Sequence, residues 1–245
     1  MADQMRVAIT GGDGSVATVI RDHLGDRFEL VPLSRDEADV TDLAALERAF
    51  QGADAVVHLG ANPNVDAEWD ELREPNLAGA YNAFEAARRT GVRRVVFASS
   101  NHAMGMYLTD DDRFADPRNP REVSASAPVR PDSLYGASKA WGEAVGRYFA
   151  ECHGLEVVCL RIGWLTDDDR PPDPSVAEVP GSPAVARRSP GMWLTHRDCA
   201  SLIEAALTAD VQFGIVNGVS DVEGRWFSLD EGRRLLGWEP SSPDR

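Results

Sequence analysis

Short apolar runs alternate along this chain with longer amphipathic stretches, and few architectures accommodate that rhythm. Arg6–Ile9, Phe28–Leu33, Ala55–Leu59, Arg94–Ala98, Glu156–Arg161 and Phe213–Asn217 read as buried strands. Ser15–Leu24, Leu43–Phe50, Trp69–Arg89, Tyr135–Cys152, Thr195–Thr208 and Ser228–Leu236 read as helices, with Asp42 capping the second and Pro75 bending the third or splitting off its first turn. Strand and helix in strict alternation predict an α/β fold, a doubly wound parallel sheet with helices on both faces. Two segments break the pattern: Gly105–Asp132 and Thr166–Gly191 are too long for tight connections. Each follows the carboxyl end of a strand, the edge where open α/β sheets bind ligands.

Composition narrows the partners. With 245 residues, 43% of them hydrophobic, the chain can bury a sizeable core. Acidic residues outnumber basic ones 40 to 25, a net charge of −15 that repels phosphate backbones and anionic lipid, so neither nucleic acid nor a membrane surface is expected. No apolar run is long enough to span a bilayer, and the N-terminus leads directly into the first strand, leaving no room for a signal peptide. Cys152, Cys159 and Cys199 make no paired spacing, which fits a reduced, cytoplasmic chain. No His/Cys/Asp cluster has metal-ligand spacing, so no metal is expected. A single lysine, Lys139, stands against two dozen arginines.

The first strand-to-helix turn reads Thr10-Gly11-Gly12-Asp13-Gly14-Ser15-Val16-Ala17. Gly11 permits a tight turn, Gly14 lets the backbone approach a pyrophosphate, and the helix N-terminus at Ser15 and Val16 offers N–H groups and a positive dipole end. The expected ligand is a dinucleotide. A carboxylate at the end of the second strand would favour NAD and an arginine NADP. Ser34-Arg35 at that position favours NADP, whereas Asp36 would restore NAD if the turn is displaced by one residue.

Tyr135-Gly136-Ala137-Ser138-Lys139 places the only lysine one turn from a tyrosine, on one helix face. An ammonium there lowers the phenol pKa, so that the tyrosine exchanges a proton near neutral pH. Ser99-Ser100 closes the strand between this helix and the glycine turn.

With these motifs the chain, from Thr10 to about Leu207, resembles the extended short-chain dehydrogenase/reductases, the NAD-dependent epimerase/dehydratase superfamily. Val56–Ala61 (VVHLGA), the helix Asn76-Leu77-Ala78-Gly79-Ala80-Tyr81-Asn82 and the Asp39-Val40 pair carry the same resemblance. It implies a Rossmann sheet over 1–164, including the catalytic helix, interleaved with a small C-terminal substrate-binding lobe over 165–245. It further implies that Ser100 polarises the reacting oxygen, Tyr135 transfers the proton, Lys139 holds the nicotinamide ribose and Asn76 supports the proton relay. Asp39, Val40, Leu59, Gly60, Ala61, Ser99 and Ile162 would line the cofactor, with Asp39-Val40 at the adenine. The stretch between the second strand and Asp39 is short, so the group's usual second crossover helix is expected to be missing.

Within that group the chain is most similar to sugar dehydrogenases acting at the anomeric carbon, the uronate dehydrogenases and haloarchaeal-type glucose-6-phosphate dehydrogenases. Ala98–Gly105 (ASSNHAMG), Pro131–Gly136, Arg161-Ile162-Gly163, Met192–Thr195 and Leu236-Gly237-Trp238 carry this likeness. It implies that Asn101 and His102 bind sugar hydroxyls and that Arg188, beside Arg187, clasps an anionic group. Adjacent guanidinium groups suit a carboxylate or phosphate independently of any family. Trp164 stands where the uronate enzymes carry a small polar residue and would reshape the pocket. The implied reaction is oxidation of an acidic hexopyranose at C1 to a lactone, with an aldohexuronate first and glucose 6-phosphate next. A nucleotide-sugar epimerase or dehydratase and a dinucleotide-sensing regulator are the alternatives, and the helices of this group often pair two subunits into a homodimer.

Overall fold

The computed structural model describes residues 4–109, 122–171 and 189–241. Six strands form one sheet: β1 (Arg6–Thr10), β2 (Glu29–Leu33), β3 (Ala55–His58), β4 (Arg94–Ser100), β5 (Glu156–Ile162) and β6 (Phe213–Gly218). Their order is β2-β1-β3-β4-β5-β6, and every neighbouring pair is parallel. The helices are α1 (Ser15–Leu24), α2 (Leu43–Ala49), α3 (Trp69–Leu72), α4 (Gly79–Thr90), α5 (Leu134–His153) and α6 (His196–Thr208).

Because successive strand side chains point to opposite faces, the near-continuous apolar strands feed two cores at once. Val7, Ile9, Val57, Val96, Val158, Leu160 and Val216 pack with α1 and α6. Ala8, Val56, Val95, Phe97, Val157 and Cys159 pack with α2, α4 and α5. The chain runs outward from β1 to β2 and then returns past β1 to β3. The strand order therefore reverses between β1 and β3, and a ligand crevice is expected at their carboxyl ends. The stretch between β2 and Asp39 holds no helix, and α2 alone provides the return crossover.

The long helix expected over Trp69–Arg89 is interrupted. Between α3 and α4 lies a π-helical turn, Arg73–Ala78, that contains Pro75. Proline lacks the N–H that an α-turn would use and its ring crowds the preceding turn, so the helix widens there. The widened turn buries Asn76. The C-terminal stretch also departs from expectation, since β6 and α6 are parts of the sheet layers rather than of a lobe beyond residue 164. What covers the carboxyl edge is assembled from separate pieces joined by the parallel bridges Val123 to Phe227 and Trp164 to Trp193. The last helix shortens to a π-helical turn, Gly232–Leu236.

Candidate active site

The glycine turn is compressed between two strand ends. Gly11 has φ +67°, and a Cβ there would lie 3.0 Å from Gly60 N; a Cβ on Gly60 would lie 2.6 Å from Val40 Cγ1. Gly14 precedes α1 without giving it a side-chain cap, so the N–H groups at Ser15 and Val16 keep their outward donors for a ligand. A backbone cradle that side chains would fill, beneath an uncapped helix N-terminus, fits a pyrophosphate. Val40 packs between the backbones of Gly60 and Gly79, and its carbonyl accepts from Asn82 Nδ2 at 3.0 Å, which places the Asp39-Val40 pair beside Leu59, Gly60 and Ala61.

Thr10 ties β1 to β3 at this edge. Its Oγ1 accepts from Leu59 N (3.2 Å) and Gly60 N (3.1 Å), so its own hydrogen goes to His58 Nδ1 at 2.8 Å. That assignment makes His58 a neutral Nε2–H tautomer, and burial, aided by the Lys139 charge, pulls its pKa down to about 3. The His58 ring stacks on Phe97 at 5.9 Å, and Lys139 Nζ lies 5.4 Å from the same Phe97 ring. A continuous chain of contacts thus leads from the glycine turn to α5.

At that helix, Ser133 caps α5 by accepting Gly136 N at 3.0 Å. Gly136 is required here, because a Cβ would sit 2.2 Å from His102 O. This close approach brings Tyr135 beside Ser100, the last residue of β4, near enough for the serine side chain to act on the phenol. Ile162 pairs with Ser100 in the sheet. Lys139 Nζ donates to Ala98 O at 2.9 Å and lies 5.6 Å from the Tyr135 ring centre. Here the structure differs from the expectation of an ammonium that lowers the phenol pKa. Burial raises Tyr135, with Ser100 opposing the shift. The lysine itself is buried and falls to about 8.

A lysine depressed from 10.5 to about 8 is charged at burial's expense below pH 8, and the unfolded chain holds the proton more tightly up to 10.5. The penalty is full below pH 8 and is relieved as pH rises towards 10.5. Lys139→Met therefore gains roughly 1–3 kcal/mol of stability at pH 7, after loss of the Ala98 bond, and the gain shrinks as pH rises. Thermal unfolding of both proteins across pH 7 to 10 measures it; an equal difference at every pH would contradict the buried ammonium.

Asn76 is fully engaged: Nδ2 donates to Ser138 Oγ and Asn62 O, both at 3.0 Å, and Oδ1 accepts Asn62 N at 2.8 Å. It joins the segment after β3 to α5, next to Lys139 in sequence rather than on the ammonium. Ser99, expected at the cofactor, directs its hydroxyl to Glu143 Oε1 at 2.6 Å. Glu143 lies one turn beyond Lys139 and pairs with buried Arg161. Ser34 and Arg35 also have local partners: Ser34 donates to Glu37, and Arg35 Nε is 3.3 Å from Asp39 Oδ2.

On the other side of Tyr135, Asn101 is buried, with Oδ1 accepting from Ser100 Oγ at 3.1 Å and Nδ2 donating to Met192 Sδ at 3.0 Å. His102 Nδ1 is 2.9 Å from Asp132 Oδ2, and its ring stands edge-on to Tyr135 at 5.8 Å. With Nδ1 donating to this carboxylate, a neutral ring presents Nε2 as an acceptor. Arg130 N to Ala103 O (3.0 Å) and Asp132 N to His102 O (3.3 Å) hold the two segments together. Gly105 leaves the space that the Asp132 carboxyl occupies. Trp164, half-buried, joins this wall through its N–H to Met192 O at 2.7 Å. Arg187 and Arg188 lie outside the described residues.

Glu37 and Glu143 belong to none of the motifs, and Asp132 enters only within Pro131–Gly136. Only Glu37 left a local sign, the Ser-x-x-Glu pattern of a capping box.

Comparison with known proteins agrees with this geometry. The model of the NAD dependent epimerase/dehydratase family matches residues 7–166. The chain is 40% identical to an L-arabinose 1-dehydrogenase (NAD(P)(+)) of Haloferax volcanii, covering 96% of each. It is 37% identical to an NAD-dependent glucose-6-phosphate dehydrogenase of the same organism, over 96% of this chain and 92% of that one. Among solved structures it is similar to uronate dehydrogenase from Agrobacterium tumefaciens, with a TM-score of 0.79 at 30% identity, over 99% of this chain and 86% of that one.

Proposed function

The chain belongs to the NAD dependent epimerase/dehydratase family, and on that premise we propose that this NAD(P)-dependent sugar dehydrogenase oxidises an acidic hexopyranose at C1. The observation that carries the reading is the placement of Tyr135 beside Ser100 at the sheet's carboxyl edge, with Lys139 one turn away. Tyr135, ionised, takes the proton of the C1 hydroxyl, and Ser100 holds that oxygen. The nicotinamide supplies the hydride acceptor when bound. Loss of the C1 hydrogen with its electron pair gives a carbonyl, and in a pyranose this is a lactone.

An aldohexuronate is the first substrate, with Arg187 and Arg188 as partners for its carboxylate. Among the described cations, Arg161 and Arg225 are already paired, with Glu143 and with Asp221 and Glu122 respectively. The sugars named for the two Haloferax relatives, L-arabinose and glucose 6-phosphate, are the competing substrates. The test follows reduced nicotinamide by absorbance with glucuronate, galacturonate, glucose 6-phosphate, L-arabinose and glucose. Turnover of a neutral sugar as fast as the acids would remove the anionic group from the reading.

His102 in this reading accepts a hydrogen bond from a sugar hydroxyl through Nε2. Asp132→Asn reverses that polarity: Ser133 Oγ, which donates to Asp132 Oδ1 at 3.0 Å, holds the amide oxygen and turns the NH₂ onto Nδ1. The hydrogen then moves to Nε2. KM rises roughly tenfold, the worth of one hydrogen bond, with a smaller change in kcat. Steady-state kinetics and the imidazole ¹⁵N shifts report the two effects, and an unchanged KM would separate His102 from the sugar.

The outer faces of α4 and α5 expose Tyr81, Trp141 and Tyr148. A homodimer through these helices would bury them, and sedimentation of the full chain tests it. A cytoplasmic setting belongs to the same reading.

A further inference from the structure

The first residue beyond β2 decides which ribose a dinucleotide site accepts, and the structure brings to it a carboxylate that the order Ser34-Arg35 does not suggest. Leu33, the residue before Ser34, lies against the glycine turn. Gly12 N donates to Leu33 O at 2.9 Å, and a Cβ on Gly12 would fall 2.7 Å from Leu33 N. The two donors of Ser34, its N–H and its hydroxyl, both go to one oxygen of Glu37, Oε2, each at 2.8 Å. Ala38 N closes the turn on Ser34 O at 3.0 Å. The result is a single turn at the end of a strand in which the Glu37 side chain reaches back to both Ser34 donors, one half of a capping box.

Glu37 Oε1 takes no hydrogen bond among the described residues, and the side chain is exposed. The Ser34 donors hold its carboxyl below the usual range, so it is ionised at neutral pH. Arg35, the residue expected to clasp a phosphate, is engaged elsewhere: its Nε is 3.3 Å from Asp39 Oδ2 and its side chain is 85% exposed. It is the only cation between Ser34 and Asp42, among Asp36, Glu37 and Asp39.

We propose that Glu37 sets the cofactor preference towards NAD. Anchored by Ser34 through one oxygen, it offers the other to the 2′-hydroxyl of the adenosine ribose. A 2′-phosphate would have to take both Ser34 donors from it and would meet three carboxylates with one guanidinium. The inference deepens the proposed function, because it rests on the dinucleotide reading of the glycine turn.

The test measures binding of NAD⁺ and NADP⁺ to the protein without sugar, by calorimetry. The unmodified protein binds NAD⁺ at least about tenfold more tightly, the scale of a like-charge contact near a surface. Glu37→Gln keeps the turn, since an amide oxygen still accepts from Ser34, and removes the charge. It narrows the NAD⁺ to NADP⁺ ratio by about tenfold, and Glu37→Ala, which frees both Ser34 donors, narrows it at least as far. A ratio unchanged in both variants, or tighter NADP⁺ binding by the unmodified protein, overturns the proposal while leaving the dinucleotide site intact. Failure of the unmodified protein to bind either dinucleotide is a different result and removes the dinucleotide reading itself.

Discussion

Tyr135→Phe lowers sugar oxidation by roughly 10³-fold and leaves dinucleotide affinity within about twofold. The substitution deletes one oxygen and keeps the ring, which stands edge-on to His102 at 5.8 Å, so the fold loses little. What disappears is the phenol oxygen proposed to receive the C1 proton. Lys139 Nζ is committed to Ala98 O at 2.9 Å, and His102 Nδ1 to Asp132. Because burial raises the Tyr135 pKa, the activity of the unmodified enzyme climbs with pH as the phenol ionises. The residual activity of the phenylalanine variant lacks that limb. Initial rates across pH, with calorimetric dinucleotide binding alongside, give both quantities. A variant that kept more than about a tenth of the turnover would place the proton acceptor elsewhere.

Arg161→Leu costs about 3–5 kcal/mol of folding stability, a fall in Tm on the order of 10 °C. Arg161 is 2% exposed, and its Nε and Nη2 meet the two oxygens of Glu143 at 2.8 Å each, while Nη1 donates to Ala125 O at 3.0 Å. Removing the guanidinium strands the Glu143 carboxylate in the interior with the Ser99 hydroxyl as its remaining partner. The doubly substituted Arg161→Leu, Glu143→Leu protein recovers most of the loss, because no charge is left buried. Chemical denaturation of the single and double variants measures the difference. A single variant within about 1 kcal/mol of the unmodified protein would show that water reaches the pair. Ser99 precedes Ser100, and Glu143 follows Lys139 by one helical turn. The single variant therefore also loses activity, through displacement of residues it does not touch.

The fold was largely legible because its signals are local. Each buried strand is an apolar run that helix periodicity cannot imitate at that length, and strand boundaries moved by only a residue or so, as at Glu156–Ile162. Pro75 was visible as a disruption, but the widened turn it produces depends on what Asn76 meets across the sheet. In the site, the structure places Tyr135 beside Ser100. The charge environment was read less well. The depression of Lys139 to about 8 follows from burial, which no spacing encodes. Glu143 with Arg161, and His102 with Asp132, are joined across 18 and 30 positions, so nothing in either local sequence announces the partner. Glu37 is the converse case: its pattern with Ser34 is local, but its meaning comes from the glycine turn beside it. The basic pair Arg187 and Arg188 lies outside the described residues, so its place in the cleft stays with the sequence reading.

The chain carries one side-chain amine, and it lies buried in α5. Lysine-selective isotope labelling of this protein consequently yields a single side-chain resonance, with no surface background to subtract. That resonance doubles as a meter of occupancy, since anything seated beside Tyr135 must shift it. Conversely, amine-directed coupling to a solid support finds no lysine on the exterior, and tethering this protein without silencing it calls for carboxylate chemistry, which its surface offers in abundance.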